Sequence, residues 1–286
     1  MGLRAALTAS LLSVALAIAS PASAQWTQRL ELAHGAFDHA RGVPDAIVHA
    51  PASFDPRGPL HLVVFLHGYR GCADVLAPAG PARCRAGASP QPGWDLLARH
   101  DEARTSTLFV IAQLALDVRD GSPGRFSRDG GFRAFVDELL GQLQRELGGP
   151  RAARDLSSIT LVAHSAAFES TLAILRAGGA PIRSVVLLDA LYSGGAAFLA
   201  WATGDPARRL ISVHTGAGTT ALRNRDLARR ARRALGSAFV ATDDLGAIGP
   251  SHRVAVVRVR TAHREVPARH LAAALRILHP PVRQRR

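Results

Sequence analysis

The sequence predicts a three-layer α/β sandwich built on a mainly parallel, doubly wound sheet. Short apolar runs alternate along the chain with longer segments whose apolar residues recur every three or four positions. The runs are typical of strands buried on both faces, and the longer segments of amphipathic helices. Their alternation predicts βαβ crossovers, which make the strands parallel and place helices on both faces of the sheet.

The predicted strands begin with two short segments, 28–33 and 46–50, which are separated by a turn region containing Gly, Pro and Asp. We expect these two segments to form an antiparallel hairpin. The next segment, 61–66, is a nearly unbroken apolar run that ends at His67 and Gly68. Similar runs follow at 107–112, 158–163, 184–188, 210–213 and 254–259. Each of these runs predicts a further buried strand.

The predicted helices lie between these strands. One apolar stripe with helical spacing consists of Phe132, Phe135, Val136, Leu139, Leu140, Leu143 and Leu147. Similar patterns predict helices over 166–177, 221–235 and 266–278. Two stretches, 70–94 and 116–131, do not fit the alternation and follow the carboxyl ends of strands, where open α/β sheets bind ligands. They are candidate pocket walls, with ordinary surface loops as the alternative.

The first residues have the pattern of a cleaved signal peptide. Arg4 is followed by an apolar run over 5–18 and by the small residues Ala22, Ser23 and Ala24. The alternative is an uncleaved anchor, but the run is shorter than the roughly 20 residues that cross a bilayer. No later segment is long enough to span a membrane. We therefore expect a signal over 1–24, a single domain over 25–286, and secretion or a periplasmic location.

The two cysteines, Cys72 and Cys84, are expected to form a disulfide, because an oxidising compartment favours the bond and a pair is the smallest set that can close. The alternative is two unrelated thiols. Their separation matches no zinc pattern, and the sequence predicts no metal site and no cofactor.

The chain is strongly basic, with a formal net charge of +13, and every basic residue other than histidine is arginine. Such a charge favours an anionic partner, for example an envelope polymer, an acidic lipid or nucleic acid. The arginines are spread along the chain, and the two concentrations, 223–233 and 283–286, lack the interleaved aromatics of a base-stacking surface. A solvated helix face and a basic tail explain them, and specific nucleic-acid binding is not predicted.

The candidate nucleophile is Ser165. The apolar strand 158–163 runs almost directly into this serine, and a helical pattern begins at once. This is the geometry of a nucleophile elbow, which lifts a serine hydroxyl above the sheet. Ala163 and Ala167 stand where the usual G-x-S-x-G motif has glycine, so an ordinary strand-helix junction with a capping serine remains the alternative.

A second feature is the glycine loop after the 61–66 strand, which carries one candidate oxyanion-hole amide. The backbone N–H of Tyr69 or of Arg70 is the first candidate donor, and that of Ala166 is the second. His67 precedes the nucleophile, and we interpret it as a structural histidine at a strand end.

The base and the acid are predicted from strand order. His263 follows the last predicted strand, whereas His252 lies before it, and His270 and His279 fall within or after the final helix. The acid that orients such a histidine usually follows the strand predicted at 210–213, but no Asp or Glu directly follows that strand. Asp189 directly follows the preceding strand and is the candidate acid, with a helix N-cap as the alternative role. Asp243 and Asp244 are less suited, because they precede the last strand.

With these elements in order, residues 46–280 resemble the α/β-hydrolase superfamily, in particular its exported esterases, lipases and polyester depolymerases. The resemblance implies the α/β-hydrolase fold and cofactor-free cleavage of small or polymeric esters by Ser165, His263 and Asp189. An amidase or peptidase of the same fold is the first alternative. A catalytically silent protein that binds an anionic envelope polymer is the second. Trp94, Phe126 and Phe132 are candidate residues of an apolar acyl site or of the core.

Overall fold

The computed structural model describes residues 25–281, so the predicted signal over 1–24 and the end of the basic tail lie outside the described residues. The strands are β1 (Trp26–Leu30), β2 (Ala46–Ala50), β3 (Leu60–Leu66), β4 (Leu108–Ala112), β5 (Leu156–His164), β6 (Ile182–Leu188), β7 (Arg209–His214), β8 (Phe239–Thr242) and β9 (Val254–Arg258). The helices are α1 (Ala73–Leu76), α2 (Leu96–Ala103), α3 (Gly131–Gln142), α4 (Phe168–Ala177), α5 (Gly195–Thr203), α6 (Gly218–Leu235) and α7 (Val266–Leu278).

All nine strands belong to one sheet with the order β1-β2-β4-β3-β5-β6-β7-β9-β8. β1 pairs antiparallel with β2, as the hairpin prediction required, and β2 pairs antiparallel with β4. Every other pairing in the sheet is parallel. The sheet is therefore mainly parallel, as predicted.

Helices cover both faces of the sheet, which gives the predicted three layers. Side chains of α3, α4, α5 and α6 join one core with the alternate residues Leu62, Val64 and Leu66 of β3. Side chains of α1, α2 and α7 join the other core with Val63 and Phe65. The period-2 alternation of a strand explains why an unbroken apolar run in β3 supplies both cores. In residues 25–281, none of the helices is both long and apolar enough to cross a lipid bilayer.

The structure adds elements that the sequence pattern did not predict. Strand β8 has four residues at the sheet edge and is only partly buried, so it lacks a long apolar run. Helix α5 is almost uniformly apolar, so it shows no stripe with a polar opposite face. Helix α3 ends at Gln142, although the predicted stripe continues through Leu143 and Leu147. Both leucines are buried in turns, which explains their apolar character without a helix.

The strand order reverses direction beside β3. The chain passes from β3 to β4 on one side, and then crosses to β5 on the other side and continues outward. Such a reversal opens a crevice at the carboxyl ends of the strands, where doubly wound sheets bind their ligands. The residues that follow β3, β5, β6 and β9 meet at this edge.

Candidate functional site

Ser165 lies at a sharp turn between β5 and α4. Strand β5 ends at His164, a short 3-10 turn covers Ser165–Ala167, and α4 begins at the next residue. The φ of Ser165 is +56°, a left-handed conformation that non-glycine residues rarely adopt. The flanking Ala163 and Ala167 are fully buried, so only small side chains fit there. The serine itself remains partly exposed, and the local geometry is that of a nucleophile elbow.

The buried side chain of His67 fixes the glycine loop after β3. Its Nε2 accepts a hydrogen bond from the N–H of Leu114 at 2.9 Å, and its Nδ1 lies 2.8 Å from the carbonyl oxygen of Gly68. Because Nε2 accepts, the proton is on Nδ1, which donates to that carbonyl. Burial lowers the pKa of His67 to about 4, so the ring is neutral and holds the loop by two directed bonds. These contacts give His67 the structural role that the sequence suggested.

The glycine loop touches the serine turn. A methyl group at Gly68 would lie 2.7 Å from the Cβ of Ser165 and 3.2 Å from the backbone N of Ala166. Only glycine therefore allows this approach. The N–H of Arg70 already donates to the carbonyl of Val118 at 2.8 Å. Of the two candidate oxyanion-hole amides, Tyr69 is therefore the one whose N–H does not make this hydrogen bond.

Asp189 and His263 are hydrogen-bonded to each other at the same edge of the sheet. Asp189 directly follows β6 with a φ of +48°, and its N–H donates to the carbonyl of Val213 in β7 at 2.8 Å. His263 begins the 3-10 turn between β9 and α7. Its Nδ1 donates to the Asp189 carboxylate at 2.7 Å, because an ionised carboxylate only accepts. The imidazole is thus held with Nε2 free for another partner.

The Asp189 carboxylate receives further hydrogen bonds from the loop after β7 and from the first turn of α6. The hydroxyl of Thr220 donates at 2.6 Å, and the N–H of Thr215 donates at 3.3 Å. Burial by itself would raise the pKa of Asp189, but the hydrogen bonds from His263 and Thr220 outweigh that effect and hold its pKa below the ordinary value. The acid therefore stays ionised. The segment after β7 thus holds no carboxylate near its start but supplies donors to the carboxylate that follows β6.

His164 binds the backbone of His263, a contact that sequence reasoning missed. Its Nε2 donates to the carbonyl of His263 at 3.1 Å, and the two rings lie 4.6 Å apart. The rings of His164 and Trp94 pack in a T-shaped arrangement, with their centroids 5.2 Å apart. Burial lowers the pKa of His164 to about 3, so the ring is a neutral positioning group. The signal for it in the sequence was its place directly before Ser165.

Ser165 and His263 line one cavity of about 240 Å³ at this edge. The predicted disulfide between Cys72 and Cys84 is present, and Cys72 belongs to the cavity wall. The lining residues are His67, Gly68, Tyr69, Arg70, Gly71, Cys72, Val75, Leu76, Gln91, Trp94, His164, Ser165, His263 and Arg264. The 70–94 stretch thus forms a pocket wall, as predicted.

The other predicted wall and two predicted aromatic residues lie elsewhere. The 116–131 stretch contributes no lining residue and packs behind the serine turn, where Gly121 meets Ala166. Phe126 and Phe132 are fully buried in the core, with ring centroids 5.3 Å apart. Of the three aromatic candidates, only Trp94 lines the cavity.

The alternative bases and acids have other partners. His252 accepts from the N–H of Gly249, whereas His270 and His279 bind the hydroxyls of Thr261 and Thr160. Asp243 forms an ion pair with Arg258 at 2.6 Å, and Asp244 caps a short 3-10 turn. None of these five residues lines the cavity.

Among residues 25–281, one cluster has the spacing to hold a metal ion. Its members are His49, His100 and Asp101, whose potential ligand atoms lie within 4.8 Å of one another. Both nitrogens of His49 already have hydrogen-bond partners, Thr27 and Asp101. The cluster lies on β2 and α2, outside the Ser165 cavity, and we interpret it as a buried polar network.

Comparisons with known proteins agree with the architecture. No protein-family model matches the chain, and no curated protein matches its sequence. A solved ferulic acid esterase aligns with a TM-score of 0.55 at 12% identity, over 91% of this chain and 99% of the other. FphF, a fluorophosphonate-binding serine hydrolase of Staphylococcus aureus, aligns with a TM-score of 0.50 at 10% identity, over 88% and 96%. The similarity at these identities is one of fold, and the fold is that of the α/β-hydrolases.

Proposed function

We propose that this chain is an exported serine hydrolase that cleaves carboxylic esters through an acyl-enzyme. The observation that carries the proposal is the 2.7 Å hydrogen bond from His263 to the buried Asp189, together with the cavity that His263 and Ser165 line. The order Ser, Asp, His along the chain is that of α/β-hydrolase triads. The name of one structural neighbour, a ferulic acid esterase, favours an ester over an amide as the substrate.

In the first step His263 acts as the base. Because its Nδ1–H is held by Asp189, its Nε2 carries a lone pair and removes the proton from the Ser165 hydroxyl. The serine oxygen then bonds to the carbonyl carbon of the ester, and the carbonyl oxygen becomes an oxyanion. The N–H groups of Tyr69 and Ala166 stabilise that charge, since Ala166 lies in the first turn after the serine, where N–H groups lack intrahelical partners.

In the second step the tetrahedral intermediate collapses. The alcohol oxygen leaves and takes the proton from the His263 imidazolium, which leaves an acyl group on Ser165. His263 next removes a proton from water, whose oxygen attacks the acyl carbon. The acid is released and the serine regains its proton, so the cycle needs no cofactor.

The Asp189 carboxylate acts on His263 without taking its proton. It keeps the ring in the productive tautomer and stabilises the imidazolium that forms in each step. The lowered pKa of Asp189 keeps that charge available across the neutral range.

Export is proposed on two grounds. The disulfide between Cys72 and Cys84 suits an oxidising compartment. The signal pattern over 1–24 predicts passage to such a compartment. Secretion or periplasmic localisation is tested by cell fractionation of the full-length chain.

The proposal is tested with a fluorescent fluorophosphonate and with p-nitrophenyl esters. We expect the wild type to be labelled and Ser165→Ala to lose labelling and at least about 10³-fold of kcat. Ser157→Ala, an exposed serine on the same strand, should behave as wild type. Absence of labelling in folded wild-type protein overturns the hydrolase assignment. A higher kcat/KM on matched p-nitroanilides would assign an amidase instead.

A further inference from the structure

We propose that the substrates are esters that carry a carboxylate close to the scissile bond, and that Arg264 and Arg70 bind this carboxylate. The inference rests on the proposed ester hydrolase function and adds the substrate class. The residues that line the cavity include two arginines and no aspartate or glutamate. A group of negative charge is therefore attracted to the space beside Ser165.

The carboxylate of Asp189 does not cancel this charge. Asp189 is only 3% exposed and lies behind His263, with His263 and Thr220 as hydrogen-bond donors. Its charge is directed at the imidazole. The guanidinium groups of Arg70 and Arg264 are on the open side of the cavity.

Arg264 is held in place without an ion pair. Its guanidinium carbon lies 5.8 Å from the centroid of the Trp94 ring, and its Nη2 donates to the carbonyl of Pro92 at 3.3 Å. No carboxylate of the described residues lies within ion-pair distance of it. By contrast Arg269, one turn further on, pairs with Glu265 at 2.9 Å. Arg264 thus has a fixed position and free N–H donors directly after the proposed base.

Arg70 supplies the second charge from the glycine loop. Its backbone is fixed in the left-handed region at a φ of +56° by the hydrogen bond to Val118. Its side chain is exposed at the cavity, and the described residues again offer no carboxylate at ion-pair distance. Guanidinium groups bind carboxylates through paired N–H donors, so two of them at one cavity form a recognition site for this group.

The size of the cavity limits where the carboxylate sits. About 240 Å³ is below the range of pockets that enclose drug-sized ligands. Since the arginines line the same small space as Ser165, the carboxylate must lie a short distance from the ester, on either its acyl or its alcohol side.

The test uses ester pairs that differ only in charge. 4-Acetoxybenzoate and 4-acetoxybenzamide place the difference on the alcohol side, and phenyl 4-carboxybenzoate and phenyl 4-carbamoylbenzoate place it on the acyl side. The rigid ring keeps the carboxylate from attacking its own ester. For each pair, kcat/KM is divided by the uncatalysed rate constant, and the ratio of carboxylate to carboxamide is compared among variants.

We expect a ratio of about ten or more for wild type on at least one pair at low ionic strength, with a decrease in about 0.5 M NaCl because salt screens exposed charges. Arg264→Gln should lower the ratio at least about threefold, and Arg264→Gln combined with Arg70→Gln should bring it near one. Arg269→Gln, which removes an arginine outside the cavity, should keep the wild-type ratio.

The outcomes separate the two proposals. Hydrolysis of all four esters with wild-type ratios near one overturns the carboxylate site and leaves the hydrolase assignment intact. A high ratio that survives loss of both cavity arginines also overturns it. No hydrolysis of any ester, together with no fluorophosphonate labelling, overturns the hydrolase assignment and this inference with it.

Discussion

Three residues of the site adopt left-handed backbone conformations although they are not glycine. They are Arg70, Ser165 and Asp189, with φ values between 48° and 56°. Such a conformation costs a non-glycine residue roughly 1–2 kcal/mol, so it persists where the surrounding contacts determine it. Each of the three directly or closely follows a strand, and each turn aims a functional group at one edge of the sheet. The strain at these positions is thus linked to the chemistry proposed for the cavity.

Replacing the acid by its amide tests the role of Asp189. In Asp189→Asn the side chain keeps its shape, but its amide can donate to Nδ1 and favour the wrong tautomer of His263. We expect kcat on p-nitrophenyl acetate to fall by about 10³- to 10⁴-fold, with a smaller change in KM. The measurement is steady-state kinetics on protein whose circular dichroism matches wild type.

Asp243→Asn is the matched control for this substitution. Asp243 is an exposed aspartate paired with Arg258, and it does not line the cavity. Its substitution should leave kcat near the wild-type value. A kcat for Asp189→Asn within about threefold of wild type would rule out the proposed role of the acid.

At the scale of elements, the loops after β3 and β7 hold the site together. The β3 loop is fixed by His67 and packs through Gly68 on the serine turn. The β7 loop contributes the N–H of Thr215, and the first turn of α6 contributes the hydroxyl of Thr220, to the carboxylate that follows β6. Neighbouring parallel strands bring their carboxyl ends to one edge, so short loops suffice to make these contacts.

Gly68→Ala tests the close approach of the β3 loop. The added methyl would lie 2.7 Å from the Ser165 Cβ, so either the loop or the serine turn must shift. A displacement of this kind moves the Tyr69 N–H from the oxyanion, and we expect kcat/KM to fall by roughly 10²-fold. Gly80→Ala is the control, because no atom lies within 4 Å of its added methyl. Equal activities of the two variants would contradict the assigned contact.

Removing the disulfide tests the cavity wall. The bond closes a short loop, with a sequence separation of 12 residues, and bonds over loops of this length stabilise by about 3 kcal/mol. Cys72→Ser with Cys84→Ser should therefore lower the free energy of unfolding in urea by about 2–3 kcal/mol and raise KM, because Cys72 lines the cavity. Addition of dithiothreitol to wild type should reproduce the shift and leave the double variant unchanged. An unchanged midpoint in reduced wild type would show that the bond contributes nothing.

For the whole molecule, the sequence predicted the fold class because buried strands and amphipathic helices have different apolar periods. Strand β2 matches its predicted range, 46–50, and helix α7 matches 266–278. Residues 239–242 and 195–203 could not be predicted in this way, since an edge strand and an all-apolar helix lack those periods. Strand order and the strand-to-helix turn at Ser165 suggested the candidate serine, aspartate and histidine. In the structure Asp189 and His263 are hydrogen-bonded, and Ser165 lines the same cavity as His263. Contacts that depend on side-chain direction, such as that between His164 and His263, need the folded chain.

The fold also buries several histidines in neutral form, which makes its stability depend on pH. Burial lowers the pKa to about 4 for His67 and to about 3 for His100 and His164, from 6.5 in the unfolded chain. Since the folded pKa is the lower one, the unfolded state takes up protons first as the pH falls. The stabilisation is complete above about pH 6.5 and is lost between there and about pH 3.

Each of these histidines should therefore cost up to about 2 kcal/mol of stability between pH 7 and pH 5. The test measures urea unfolding at both values for wild type, His100→Leu and the exposed control His34→Gln. His100 is fully buried, stacks on Phe109 and hydrogen-bonds to the Thr107 hydroxyl at 2.8 Å. Leucine removes one titrating ring, and the Thr107 hydroxyl keeps its bond to Thr105. The difference in unfolding free energy between pH 7 and pH 5 should shrink by about 2 kcal/mol in His100→Leu and persist in His34→Gln. A wild-type stability that is equal at the two pH values would mean that the buried rings do not exclude protons, and the neutral roles given to His67 and His164 would fail with it.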